Sequence, residues 1–318
     1  PWVGQPATGG LAPGLRGLMM HTRPLLPARG FTLVELIIVI VIGAVLAATM
    51  AVFLPPALRS YVDTRVRADL GDQTDTALRR MLRDVRQAVP NSLRIPASTC
   101  FEVIPASAGG RYRMNADTSN DSGACTASGG ATCAAYVDTA AETTTFDSLT
   151  TLSTVPAVGD FIVIDNQNPN DVYAGTNRSA ITAVATPPLA TQGKHRITIN
   201  ALQVPVGYAG GRFMAVPNSQ QAVFYYCIGA DGTLDANGDG KGTLYRRKAY
   251  GFNATYPAAC PADTTADVIA THVRSCSFVY DANQGATQQS GFLWLELAIA
   301  RNNETAHLAV GAHVMNVP

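Results

Sequence analysis

From Leu36 to Leu54 the chain runs 19 residues without a charge. At about 1.5 Å of rise per residue, a helix of that length covers roughly the 30 Å of a bilayer's hydrocarbon. The pattern predicts a transmembrane helix over 31–54. Pro55-Pro56 is expected to bend or interrupt it. Beyond, Val62, Val66, Leu70, Ala77, Met81, Val85 and Ala88 recur mostly at three- and four-residue steps, while Arg65, Asp69, Asp72, Arg79, Arg83 and Arg86 occupy other faces. This predicts an amphipathic continuation over 55–90 that lays its apolar stripe on a sheet. Pro90 ends it, because the residue before a proline is pushed out of the helical region.

From Asn91 the period changes. Short runs of branched and aromatic residues, at Cys100–Ile104, Asp160–Asp165, His195–Ile199, Arg212–Val216, Ala222–Ile228, Thr243–Tyr250, Val273–Tyr280, Phe292–Ile299 and His307–Met315, are separated by Gly, Pro, Asn and Asp. In one of them Leu293, Leu295, Leu297 and Ile299 share a face, which predicts core, with Trp294 and Glu296 on the other side. The stretch 115–158 is rich in Ala, Thr, Ser and Gly and reads as an inserted surface region. The fold class expected is α+β, a long helix packed on a β-rich head over 91–318.

Hydropathy does not explain why a carboxylate, Glu35, stands one residue before the apolar run, or why Arg29-Gly30-Phe31 precedes it. A secretory signal peptide has an apolar region of about 7–15 residues and a small-residue cleavage site; this run is longer and no Ala-x-Ala follows it. The segment Gly30-Phe31-Thr32-Leu33-Val34-Glu35-Leu36 resembles the type IV prepilin family, including the type II secretion pseudopilins. The resemblance implies a leader over 1–30, cut after Gly30 by a prepilin peptidase that methylates the amine of Phe31. Met19 or Met20 is the expected start, residues 1–18 being rich in Gly and Pro, and Arg23 and Arg29 keep this end cytoplasmic. It also implies that Glu35 pairs with the amino terminus of a neighbouring pilin when the helix leaves the inner membrane for a filament, since an acid in apolar surroundings is stabilised by an opposite charge. A Glu at a helix end that merely snorkels to the headgroups is the plainer alternative. Arg67-Ala68-Asp69-Leu70 and the run from Asp75 to Ser92 extend the likeness toward minor pilins, in particular the MshO-like ones of mannose-sensitive haemagglutinin pili. These carry a periplasmic head that is later displayed at the cell surface. A secretion pseudopilin and a pilus-borne adhesin or calcium-dependent binding head remain as alternatives.

Composition narrows the remaining classes. The chain is 47% apolar and 14% charged, with zero formal net charge. Without Arg16, Arg23 and Arg29 of the leader, 23 − 3 = 20 basic residues face 23 acidic ones, so nothing calls for nucleic acid. The one basic cluster, Arg246-Arg247-Lys248, reads as a solvated face. All six cysteines, Cys100, Cys125, Cys133, Cys227, Cys260 and Cys276, fall after the apolar run, on the oxidising side, and predict disulfides. Cys125 with Cys133 is the local pair expected; the others are open. Asp235, Asn237 and Asp239, followed by Gly240, fit the first half of a calcium loop, with Asp231 or Thr243 to complete a site. The twelfth position is Arg246 where a Glu is needed, and a hairpin turn accounts for the same residues. His195, His272, His307 and His313 are scattered, and no nucleophile elbow or phosphate loop occurs. No enzymatic activity is expected.

Overall fold

A computed structural model describes residues 30–204, 210–282 and 290–316; the leader expected at 1–29 lies outside them. Helix α1 spans Leu33–Arg86, 54 residues. It runs through Pro55 and Pro56, so the interruption expected there does not occur. The cost is local: two prolines lack the N–H that would reach the carbonyls of Ala51 and Val52, and the helix resumes on the far side. The chain divides into two compact units, one ending at Leu58 and the other beginning at Arg59.

In the second unit, the strands are β1 (Arg94–Ala97), β2 (Cys100–Val103), β3 (Ala108–Arg111), β4 (Thr143–Ser148), β5 (Phe161–Ile164), β6 (Arg178–Ala185), β7 (His195–Leu202), β8 (Arg212–Val216), β9 (Val223–Ile228), β10 (Gly242–Arg247), β11 (Asp267–Asp281), β12 (Ser290–Arg301) and β13 (Glu304–Met315). A single short helix, α2 (Asp171–Ala174), follows β5. They form a seven-stranded sheet, β1-β2-β9-β10-β11-β12-β13, and a six-stranded one, β3-β8-β5-β6-β7-β4.

The seven-stranded sheet carries the helix. Leu70, Ala77, Leu78, Met81, Val85 and Ala88 are buried against Phe101, Tyr225, Phe278 and the row Leu293, Leu295, Leu297 and Ile299. Fully burying one such side chain contributes about 1.5–3 kcal/mol, which is why the expected alternation in β12 holds. The apolar stripe is shorter than expected. Val62 is 54% exposed, and Val66 is the first residue packed on the core. Arg67 pairs with Glu304 at 2.5 Å, at the first residue of β13, which marks the end of the sheet under the helix. A buried pin further along joins Asp84 of α1 to Arg246 of β10 at 2.7 Å and to the Tyr225 hydroxyl at 2.8 Å.

The six-stranded sheet lies wholly between two neighbouring strands of the other. β2 and β9 pair antiparallel with Val103 opposite Val223, so the chain leaves one sheet and returns at a single register position. The excursion therefore reaches far beyond the surface insertion expected over 115–158, and that stretch itself contributes β4 and the buried Phe146. The two outer strands of the excursion meet. Tyr112 and Ser148 form a bridge, Arg113 N–H donates to the Asp147 carbonyl at 3.0 Å and Leu149 N–H to the Arg111 carbonyl at 2.8 Å, closing the sheet into a small barrel. Phe146, Ile162, Ile164, Ile181, Ile197 and Phe213 fill it, as side chains fill any barrel this small. A third cluster, including Val89, Ile104, Val163 and Tyr173, joins barrel to sheet.

Candidate functional site: the amino-terminal assembly segment

Gly30 and Phe31 precede the helix in solvent-exposed chain, and Phe31 is 78% exposed. Thr32 starts the helix. Its carbonyl accepts the Leu36 N–H at 3.1 Å, its hydroxyl accepts the Glu35 N–H at 3.2 Å, and its own N–H donates to Glu35 Oε2 at 3.3 Å. The Thr32 hydroxyl also lies 3.4 Å from the same oxygen. This is a reciprocal capping box, in which two of the helix's orphan donors are satisfied by two side chains. Glu35 is thus held at the positive end of the helix, where a carboxylate is favoured.

Thr32 was not among the residues singled out from sequence. Its signal was present: Thr followed three positions later by Glu, ahead of an apolar run, is the capping-box pattern. Downstream, Leu36, Ile37, Ile38, Val39, Ile40, Val41 and Ile42 are all at least half exposed. Among the described residues this is the one helix long and apolar enough to cross a membrane. Seven large apolar side chains in a row in contact with water would be unstable, so the segment is built for lipid or for neighbouring helices.

The other candidates resolve differently. All six cysteines are paired, as Cys100–Cys260, Cys125–Cys133 and Cys227–Cys276, and the local pair is the expected one. Of Arg246-Arg247-Lys248, the last two are exposed, as a solvated face predicts, and meet Asp263 at 3.3 Å and Asp267 at 2.8 Å, the latter contact holding the Asp267 carboxyl below its ordinary range, whereas Arg246 is buried against Asp84. The loop with Asp235, Asn237 and Asp239 is the β9–β10 hairpin connection. Asp235 Oδ1 accepts the N–H groups of Asn237 and Asp239 at 2.8 and 2.9 Å, and Asp239 Oδ1 accepts the Asn302 N–H at 2.8 Å. Among the described residues no three His, Cys, Asp or Glu side chains are grouped as metal ligands would be.

A fully buried cation was also missed. Arg94 donates to Asn170 Oδ1 at 2.7 Å and to the Asn253 carbonyl at 2.8 Å, lies 3.4 Å from Glu102, and stacks on the Tyr173 ring. Burial pushes the Glu102 carboxyl up, against the opposing pull of the Tyr250 hydroxyl and Arg94. Nothing local in the sequence marks Arg94, since its partners lie 8 to 159 residues away.

A long apolar and then amphipathic helix, whose later part packs on a disulfide-bearing β head, defines a pilin-like architecture. Residues 27–51 match the family model described as a prokaryotic N-terminal methylation motif. The chain thus carries a prepilin-type motif, the kind read by a processing peptidase. No curated protein and no solved structure gives a match.

Proposed function

We propose that the chain is a minor pilin, a structural and priming subunit of a type IV pilus of the mannose-sensitive haemagglutinin kind, MshO-like in its helix. Prepilin peptidase cuts between Gly30 and Phe31, and the exposed apolar helix passes from the inner membrane into the filament, where neighbouring pilin helices replace lipid. Glu35, released from one of its capping contacts, meets the Phe31 amine of a neighbour. The head acts by packing and display, without catalysis. The observation that carries this reading is the matched motif at 27–51 on a helix whose apolar side chains are exposed from its first turn.

The test is intact mass and N-terminal sequencing of membrane-extracted protein from cells with and without prepilin peptidase. A mature chain beginning at methylated Phe31 only when the peptidase is present is expected. An uncut chain, or one cut after Leu54, overturns the reading. Deleting the gene then sorts pilus from secretion: loss of piliation is expected, whereas intact pili with blocked protein secretion would make the chain a pseudopilin.

A further inference from the structure

Both outer strands of the barrel end against each other, and β1 of the seven-stranded sheet is capped by the Tyr256 hydroxyl, which accepts the Ile95 N–H at 2.9 Å. β13 is different. It pairs with β12 over twelve consecutive positions without a bulge, and among the described residues its outer edge receives one backbone bond, from Asn91 N–H to the Met315 carbonyl at its far end. It contains no Pro and no Lys, and Leu308 is exposed. Native edges are usually shortened, bulged, charged or covered, because an unpaired ladder invites another strand. Among the described residues this one is long, regular and uncovered.

Beside it runs a groove between β13 and α1. Its floor is apolar, from Leu78, Leu82 and Val310, and its wall is a row of arginines at helical spacing, Arg79, Arg83 and Arg86. Arg79 is neutralised by Asp75, one turn earlier. Arg83 and Arg86 enter no ion pair among the described residues, so two positive charges stand over an open strand edge.

We propose that this edge receives an extended segment of another polypeptide whose groove-facing positions, every second residue, carry both apolar and acidic side chains. Backbone bonds to β13 would supply affinity. The side chains on one face of that strand would meet the groove, the apolar ones contacting Leu82 and Val310 and the acidic ones Arg83 and Arg86. The surface is independent of how the amino terminus is processed, so it stands or falls apart from the pilin reading.

The probe is a short labelled peptide of Val-Ser-Glu-Thr repeats, which places valine and glutamate on one face, added to the detergent-solubilised full chain and followed by fluorescence anisotropy. Saturable binding is expected, weakened about tenfold or more by Arg83→Glu with Arg86→Glu, both exposed positions, and by lysine in place of glutamate in the peptide. A strand bonds its neighbour through one edge, so N-methylation at one set of alternate residues is expected to abolish binding and at the other set to spare it. No saturable binding, equal binding of the lysine peptide, or equal behaviour of the two N-methylated peptides overturns the proposal. So does a dimer in sedimentation that is dispersed by Leu308→Lys, which would assign the edge to a second copy of the chain.

Discussion

In the barrel, the first and last strands meet through Tyr112 and Ser148, and the last is tied by side chains to its neighbour β7 and to the loop before it. The buried Asp147 accepts Arg196 through both oxygens at 2.8 Å and the Ala135 N–H at 2.7 Å, while Arg196 also donates to the carbonyls of Gly130 and Cys133. In the seven-stranded sheet the core is larger and includes a helix, yet β13 is left open along most of its length. The difference teaches that core size does not decide whether a sheet is finished. Closure needs the two outer strands to come within backbone hydrogen-bonding reach, as Arg113 and Leu149 do in the barrel, and among the described residues β13 meets no such partner strand.

Four changes would break or sharpen that contrast. The largest concerns a bond within the seven-stranded sheet, from β2 to the β10–β11 connection, that brackets the barrel in sequence. Cys100–Cys260 has a separation of 160 residues and Cys125–Cys133 one of 8. On the chain-entropy account, replacing the first pair by alanine costs about 5 kcal/mol and the second about 2.5. Urea unfolding of the two double variants should therefore give midpoints well apart, and equal losses would contradict the account. Next, Asp147→Ala leaves the partly buried Arg196 without its acid and is expected to cost about 3 kcal/mol. Amide exchange should then accelerate in β4 and at Arg113 while β12 keeps its protection; uniform loss would mean that the barrel has no seam of its own.

The third change uses pH on the sheet side. Glu102 has its carboxyl raised by burial, so on unfolding it releases a proton as pH climbs between the ordinary carboxylate value and the folded one. Its contribution is full below the unfolded value, falls through that window and is constant above it. Glu102→Gln removes the fall, so its melting temperature should gain on the parent as pH rises; a parent that gains on the variant would refute the assignment. The smallest effect is at the open edge, where Leu308→Lys should shift stability by no more than about 0.5 kcal/mol and reduce aggregation on heating, read by light scattering.

What could be read from the chain follows the same division. Leu293 to Ile299 alternates without interruption and Leu70 to Ala88 keeps helical spacing, so the helix and the sheet strands it covers were legible. The pattern put the start of β11 at Val273, whereas the strand begins at Asp267, because His272 takes a positive φ of 56° and breaks the alternation. The barrel was half hidden. β3 is Ala-Gly-Gly-Arg, with no side chain to announce a strand; a Cβ at Gly110 would crowd the Phe213 ring at 3.1 Å, so the ring would have to shift. β4 is mostly Thr and Ser around one Phe, and closure through Tyr112 and Ser148 joins residues that no local period relates. At the amino terminus, motif and cap were both local and both readable, although Thr32 was passed over.

The disulfide between Cys100 and Cys260 has one more consequence. Every strand of the barrel, from Ala108 to Val216, lies between those two cysteines. A protease that cuts one barrel loop therefore severs the backbone without releasing a fragment, because both halves stay joined through sulfur. The part of the head most interrupted by loops is thus tethered at both ends, and a single nick leaves its mass unchanged except for one added water until the bond is reduced.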